Sequence, residues 1–327
     1  MLSYDEFKSE VEAVVKDYLP DEYKDAKVTI ATVSKIGITY DSLTVRKEGQ
    51  LAAPAANLNA FYKEYEEGKE FDEVMDDVAE VLQTKAPDHL QNASWLLDYE
   101  NAKKQLFIRV SSIEKNVELI NNAPHRIVGD LVITCHIAVD RGLNGMASTI
   151  VNNDLLNHYG VEAETVLSDA IENAPVLLPV KIESMMDVIS GMCPEVISED
   201  MKKDPNFSDH RKMTIVSNSK MINGASALFY PGVMDQLSDL LGGDYVILPS
   251  SIHEFIVVPD RGNYSDLENM VRDINQNMVD PQEQLSDHVY HYDSVEKLFE
   301  SCEEYTARLE QNVDTDNGPD VDDDIDI

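Results

Sequence analysis

Residues 246–260, VILPSSIHEFIVVPD, set two serines, a histidine and a glutamate between two apolar runs. A hydroxyl nucleophile, an imidazole base and a carboxylate are the parts of an acyl-transfer site. Such a site needs Ser250 or Ser251 in hydrogen-bond contact with His253, and a third group to orient the ring. If His253 begins a strand, it shares a face with Ser251 while Glu254 turns to the other face, because strand side chains alternate. Alternation therefore divides the set. No G-x-S-x-G elbow is present, since GAS at 224–226 lacks the second glycine. Pro249 followed by two serines is turn chemistry: proline presets φ and serine bonds to nearby backbone. The stretch is expected to be a turn joining two strands, with no catalytic residue assigned. A hydrolase using Ser250 or Ser251 with His253 and a carboxylate from elsewhere is the alternative.

Metal and cofactor patterns are incomplete as well. His253-Glu254 opens like H-E-x-x-H, but Val257 stands where the second histidine is required. His288 and His291 would lie on opposite faces of a strand, which separates them even with Asp287 and Asp293 nearby. Cys135 and His136 are divided in the same way, and Cys135 reads as a small buried hydrophobe. Asn312, Asp314 and Asp316 match the first oxygens of a calcium loop, but Asn317 takes the glycine place and Asp323 replaces the bidentate glutamate. There is neither a G-x-G-x-x-G nor a Walker A pattern, and Gly242-Gly243 leads into a strand. No metal site and no cofactor is expected.

The elements that carry these residues follow from periodicity. Ser3 and Glu6 form a capping box ahead of a helix over 3–18, with Tyr4, Phe7, Val11, Val14 and Tyr18 at helical spacing. KVTIATVSKIGITYDSLTV reads as a hairpin. Leu58, Phe61, Tyr62 and Tyr65, then Phe71, Val74, Met75, Val78, Val81 and Leu82, mark two amphipathic helices, and Leu90, Trp95 and Leu96 a third. Strands are expected at QLFIRVSSI and HRIVGDLVITCHIAVD, a turn at GLNG, and a helix over 161–174 that Pro175 ends. Residues 192–211 read as a long exposed connection. Beyond it, KMTIVSN and ASALFYP are strand candidates, and Pro231 opens a helix that Gly242-Gly243 closes. DYVIL and EFIVV are strands. A helix capped by Ser265 and Glu268 should bury Leu267, Met270, Val271 and Ile274, ahead of the strand HVYHY and a helix from Ser294. Strand pairs that look like hairpins, interspersed with helices, give an α+β class with largely antiparallel sheets and flanking helices. The expected divisions are a helix, hairpin and helical region over 1–122, an α+β domain over 123–310, and a disordered acidic tail over 311–327.

Composition bounds the function. The chain has 327 residues, 43% hydrophobic and 27% charged, as in a globular protein. Its 62 acidic and 26 basic residues give a net charge of -36. The seven aspartates after residue 311 account for only a small part of that, so the body is acidic too. Direct nucleic-acid binding needs clustered Lys and Arg, which this balance opposes, and no polybasic stretch suits an anionic membrane. Solubility explains an acidic surface, and an acidic mimic of nucleic acid that occupies a basic protein is an alternative. Three scattered cysteines make no disulfide framework. MLSYDEFKSEVE has no basic start or apolar run of a signal peptide, and no apolar stretch nears the ~18 residues of a membrane span. A cytoplasmic protein is expected.

NGASALFYPGVMDQLSDLLGGDYVILPSSIHEFIVVPD and LSDHVYHYD, with DLVITCHIAV and YGVEAETVLSDAIENA upstream, resemble a family of uncharacterised proteins from anaerobic Gram-positive bacteria. That family is a domain of unknown function, so the resemblance implies no activity, cofactor or catalytic residue. The expectation is a non-catalytic protein that binds a protein partner or a small ligand. Its ligand-facing surface is placed at Ser250, Ser251, His253 and Glu254, with Asn218 and Asn223 of the 217–224 loop and Tyr230. Loops at sheet ends are favoured binding places.

Overall fold

The computed structural model describes residues 1–35, 38–48, 53–84, 93–142, 145–192 and 213–316. Helix α1 (Tyr4–Val14) is followed by the hairpin β1 (Lys27–Lys35) and β2 (Ile38–Arg46), then β3 (Ala55–Asn57). Helices α2 (Leu58–Glu66), α3 (Phe71–Gln83) and the short α4 (Tyr99–Ala102) lead to β4 (Leu106–Ser112). Next come α5 (Val117–Asn121), β5 (His125–Val128), β6 (Leu131–Gly142), β7 (Gly145–Ile150), α6 (Asn153–Tyr159) and α7 (Ala163–Leu177). The remainder is β8 (Val180–Ser184), α8 (Met185–Met192), β9 (Thr214–Asn218), α9 (Val233–Leu241), β10 (Tyr245–Ser251) and β11 (Glu254–Pro259). It ends with α10 (Tyr264–Asn277), β12 (Tyr290–Asp293), β13 (Leu298–Ser301) and α11 (Cys302–Asp316). The hairpins pair antiparallel and helices flank the sheets, so the class is α+β as the patterning predicts. Residues 36–37, 85–92 with Leu90, 143–144 of GLNG, the 193–212 connection and the tail from 317 lie outside the described residues.

The chain divides into two units. The first comprises Met1–Leu106, Lys115–Pro124 and Cys135–Val166. Its β1 and β2 stay in register from Lys27↔Arg46 to Lys35↔Ile38, and β3 adds to β2. Leu43 and Val45 of β2 face Phe7 and Val11 of α1 and Val74, Met75 and Val78 of α3 in one core. The helical stripes read from sequence are the faces that make it. Phe7 is fully buried at its centre, with ring centroids 5.3 Å from Tyr62, 5.6 Å from Tyr65 and 5.9 Å from Phe71. Such aromatic groups combine large buried area with edge-to-face contacts. On the rim, Asp41 accepts from Lys8 Nζ (3.0 Å), Thr32 Oγ1 (2.8 Å) and Tyr4 Oη (3.1 Å). Those donors hold its carboxyl below the usual range, Lys8 foremost.

The second unit comprises Phe107–Glu114, His125–Thr134 and Leu167–Ile327. Its six-stranded sheet has the order β13-β12-β10-β11-β9-β8, with Tyr245, Val246 and Ile247 of β10 fully buried in the middle. Ser286 Oγ (2.7 Å) and Tyr290 Oη both donate to Asp130, which ties the β5–β6 turn to β12.

Four local expectations are corrected. ASALFYP is not a strand: Gly224–Phe229 is a 3-10 turn packed on β9 and β11, and residues 225–228 are all buried. A run with no exposed side carries no alternation to read. Ser294 does not start a helix, because β12 turns back into β13. Asp293 Oδ1 accepts the N–H of Val295 (3.0 Å) and Glu296 (2.9 Å), and Lys297 adopts φ 57° to close that turn. Pro175 lies within the last turn of α7 and does not end it, since the missing N–H forfeits one bond there. Helix α10 is preceded by Asn263, not capped by Ser265, and buries Val271 but leaves Met270 and Ile274 38% and 37% exposed.

Two predictions follow from these cores. Phe7→Ala removes the hub of the first unit and is expected to cost about 3–5 kcal/mol, read from urea denaturation. In the second unit, Asp293 is held below its usual carboxylate range by the Glu296 N–H and then by Arg308. A depressed folded pKa stabilises above the unfolded value of about 3.9, and that stability is lost as pH falls through the folded value. Asp293→Asn should therefore be less stable than wild type at pH 7, and the gap between their urea midpoints should close as pH drops below about 4.

Candidate functional site

Strands β10 and β11 are joined by a two-residue turn, Ile252-His253, that makes Ser251 and Glu254 direct cross-strand partners. The register shifts between Pro249 and Ser251, so the strand is bulged where proline cannot donate. This geometry overturns the alternation argument for the set. Alternation holds along one strand, but the turn folds Glu254 back opposite Ser251, so their side chains meet. Both Ser250 Oγ and Ser251 Oγ donate to Glu254 Oε1 at 3.0 Å. Ser251 Oγ also accepts from the His253 N–H at 3.0 Å.

The His253 ring points away from both serines. Its Nδ1 accepts from the Asn223 N–H at 3.1 Å, and a backbone amide can only donate. That bond places the ring proton on Nε2, which faces Glu283 Oε1 at 3.2 Å. The backbone is held just as fully. His253 O accepts from Ser217 Oγ (2.8 Å), Ile252 O from the Ala225 N–H (3.2 Å), and the Ile252 N–H donates to Glu283 O (2.8 Å). Neither hydroxyl has the base it needs, and the ring has both nitrogens engaged. Glu283 is the member sequence reasoning missed, because it lies 30 residues from His253 outside any strand.

The 217–224 loop closes onto this turn. Asn218 is fully buried; its Nδ2 donates to Ile222 O (3.0 Å) and its Oδ1 accepts from the Lys220 N–H (3.0 Å). Asn223 sits in the left-handed region at φ 49°. Gly224 follows because nothing larger fits. A Cβ there would lie 2.6 Å from His253 O and 2.7 Å from Asn218 N, both backbone atoms that cannot swing aside. Tyr230, at the far end of the 224–229 turn, is 3% exposed, and burial pushes its hydroxyl up to about 12. The structure thus joins Ser250, Ser251, His253, Glu254, Asn218 and Asn223 in one hydrogen-bonded corner, with Tyr230 buried beside the turn that leads from it.

Other candidate residues separate. His288 faces Glu268 at 3.3 Å, while His291 is fully buried, 3.2 Å from Asp260 and stacked on Tyr305 with centroids 3.6 Å apart. Asp287 accepts from Asn275 and Asp293 from Arg308, so the four do not converge. Cys135 is buried, its thiol 3.7 Å from Val166 O. Cys193 lies outside the described residues. The backbone is helical from Cys302 through Asp316, so the calcium-loop spacing of Asn312, Asp314 and Asp316 is laid along a helix instead.

A cleft of about 380 Å³ opens within the first unit, lined on its polar side by Thr32, Glu118, Asn122, Asn152, Asn153 and Asp154. Its size falls in the range of small-molecule sites. Three segments build it: the outer strand β1, helix α5, and the end of β7 with the start of α6. The Asn153 N–H donates to Asn122 O at 2.9 Å and fastens the last two together. No sequence motif marks these residues, since their spacing along the chain is irregular and only folding collects them.

Gly224→Ala is expected to destabilise the protein by about 1–3 kcal/mol through overpacking against rigid backbone, measured as a lowered urea midpoint with unchanged slope. A variant as stable as wild type would mean that the corner can open without cost.

No match was found among characterised proteins or solved structures. The model of a family of unknown function, DUF5688, matches residues 4–294. The uncharacterised family implied by the quoted stretches is thus found over most of the chain, and the protein belongs to the DUF5688 family.

Proposed function

We propose that this protein acts by binding and not by catalysis, as a cytoplasmic protein of anaerobic Gram-positive bacteria. The observation that carries the reading is the state of His253. A general base must reach the proton it removes, yet the ring spends Nδ1 on the Asn223 N–H and turns Nε2 to Glu283. The two serine hydroxyls are spent on Glu254. Polar groups closed upon one another in this way hold a turn in one geometry. The corner is then a scaffold feature, and small-ligand recognition falls to the cleft beside β1, where polar side chains line open space. Cys135 and Cys302 are buried free thiols, as suits a reducing compartment. The excess of acid keeps copies apart and hydrated.

A fluorophosphonate probe incubated with the purified chain is expected to leave Ser250 and Ser251 unlabelled, as read by intact mass. Stoichiometric labelling that Ser251→Ala or Ser250→Ala abolishes would establish a hydrolase and sink the binding reading.

A further inference from the structure

We infer that α11 is a detachable strap that conceals His291, and that lifting it opens a polar position in the second unit to a ligand's hydrogen-bond donor. The inference goes beyond the cleft of the first unit and does not rest on it. It comes from one buried nitrogen and from the way the helix over it is held.

His291 of β12 is fully buried. Its Nε2 faces Asp260 Oδ2 at 3.2 Å. That oxygen also accepts from Tyr264 Oη at 2.8 Å, and Asp260 Oδ1 accepts from the Gly262 N–H at 2.9 Å. An ionised carboxylate can only accept, so the ring hydrogen sits on Nε2 and Nδ1 keeps a lone pair. Nδ1 is buried and has no hydrogen-bond partner. Buried polar groups are nearly always paired, so an imidazole oriented by a carboxylate with its other nitrogen unspent calls for a reason. His253 has no such nitrogen, since both of its own are engaged.

The cover over the ring comes from α11. Tyr305 lies face to face on His291, with centroids 3.6 Å apart and planes 13° from parallel. Tyr264 meets the two rings edge-on, at 6.3 Å from His291 and 6.2 Å from Tyr305. Glu300 stands opposite His291 in the β12–β13 ladder. Over residues 303–311 of the helix only Tyr305 and Arg308 are not exposed. Arg308 donates to Glu300 and Asp293, and its Cζ lies 5.4 Å from the Tyr305 ring centre, so the fastening sits beside the cover.

The start of the helix is secured from within the chain's own turn. Ser301 Oγ accepts from the Glu304 N–H at 3.1 Å, and Glu304 Oε2 accepts from the Ser301 N–H at 2.9 Å, a capping box. A helix capped in this way and docked through two side chains can leave as a unit. Segments with few buried contacts open at a fraction of the free energy of global unfolding. A ligand that takes the open form has its apparent affinity lowered by the fraction of molecules that are closed, which makes the strap autoinhibitory.

Two measurements on the full chain test this. Native-state hydrogen exchange should show the amides of 303–311 opening well before those of β10 and β11. Diethyl pyrocarbonate, which modifies accessible imidazole, should spare His291 and modify His288, whose side chain is 52% exposed, as located by tandem mass spectrometry. Arg308→Gln should speed both α11 exchange and His291 modification at least about tenfold by favouring the locally open form. Exchange in β10 and β11 should stay unchanged, and Arg308→Lys should fall between. Wild-type His291 reacting as fast as His288 would mean that nothing is concealed, and α11 exchanging no faster than β10 would mean that it is no strap. Faster α11 exchange in Arg308→Gln with His291 still unreactive would part the strap from the ring. Loosening of β10 together with α11 would make Arg308 a fastening of the whole unit. Each of these, or no change in Arg308→Gln, overturns the inference, and none bears on the cleft or on fluorophosphonate labelling.

Discussion

A residue without a side chain, Gly224, lets the two loops at one end of the second unit's sheet share their polar groups. Because a Cβ on it would run into His253 O and Asn218 N, the loop after β9 lies directly against the β10–β11 turn. Ser217 Oγ, the Asn223 N–H and the Ala225 N–H can then reach His253 O, His253 Nδ1 and Ile252 O. Ser217, Asn218 and Ser251 are buried here, and a buried polar group left unpaired costs about 1–3 kcal/mol. The loops therefore satisfy each other or neither is satisfied. The consequence reaches function. A serine, a histidine and a glutamate that look like catalytic parts are consumed by the closure that holds them.

How far sequence could see depended on whether a pattern was local. The β1–β2 and β10–β11 hairpins and the stripes of α1, α2 and α3 were legible, because period-2 and period-3.6 patterns are properties of a single segment. Residues 225–228 were not, since burial on every side erases the contrast that periodicity needs. The turn after Asp293 was missed for another reason: Val295 is 82% exposed and Lys297 adopts a positive φ, neither of which marks a strand start. For Ser251 and Glu254, alternation was applied across a turn whose length had not been fixed. A two-residue turn makes them neighbours, where a longer one would have parted them. The cleft residues were out of reach altogether. Asn122 and Asn152 become neighbours only when β6, β7 and α5 are in place.

Scarce cations shape how the acidic chain holds together. Lys8 spans Asp5 and Asp41, Lys69 spans Glu64 and Asp77, and Arg308 spans Asp293 and Glu300. Each base thus serves two acids. Where such pairs are exposed they contribute little, because water and salt screen them. Arg308 differs in that its acids are about nine-tenths buried. Its Nε and Nη2 both donate to Glu300 and Nη2 also to Asp293, which anchors α11 to the β12–β13 hairpin. Burial makes removal of one partner costly, since the others are left uncompensated.

Hydrogen bonding distinguishes two places where polar side chains gather. In the corner at His253 the two serine hydroxyls, the Asn223 N–H and both ring nitrogens have met partners from the same chain. In the cleft of the first unit the asparagines have also bonded to backbone, but with one end only, and the end is set by whether that backbone group donates or accepts. Two amide oxygens and one amide nitrogen are turned away from those backbone groups. Rigidity then belongs to the corner whose residue types first suggested chemistry.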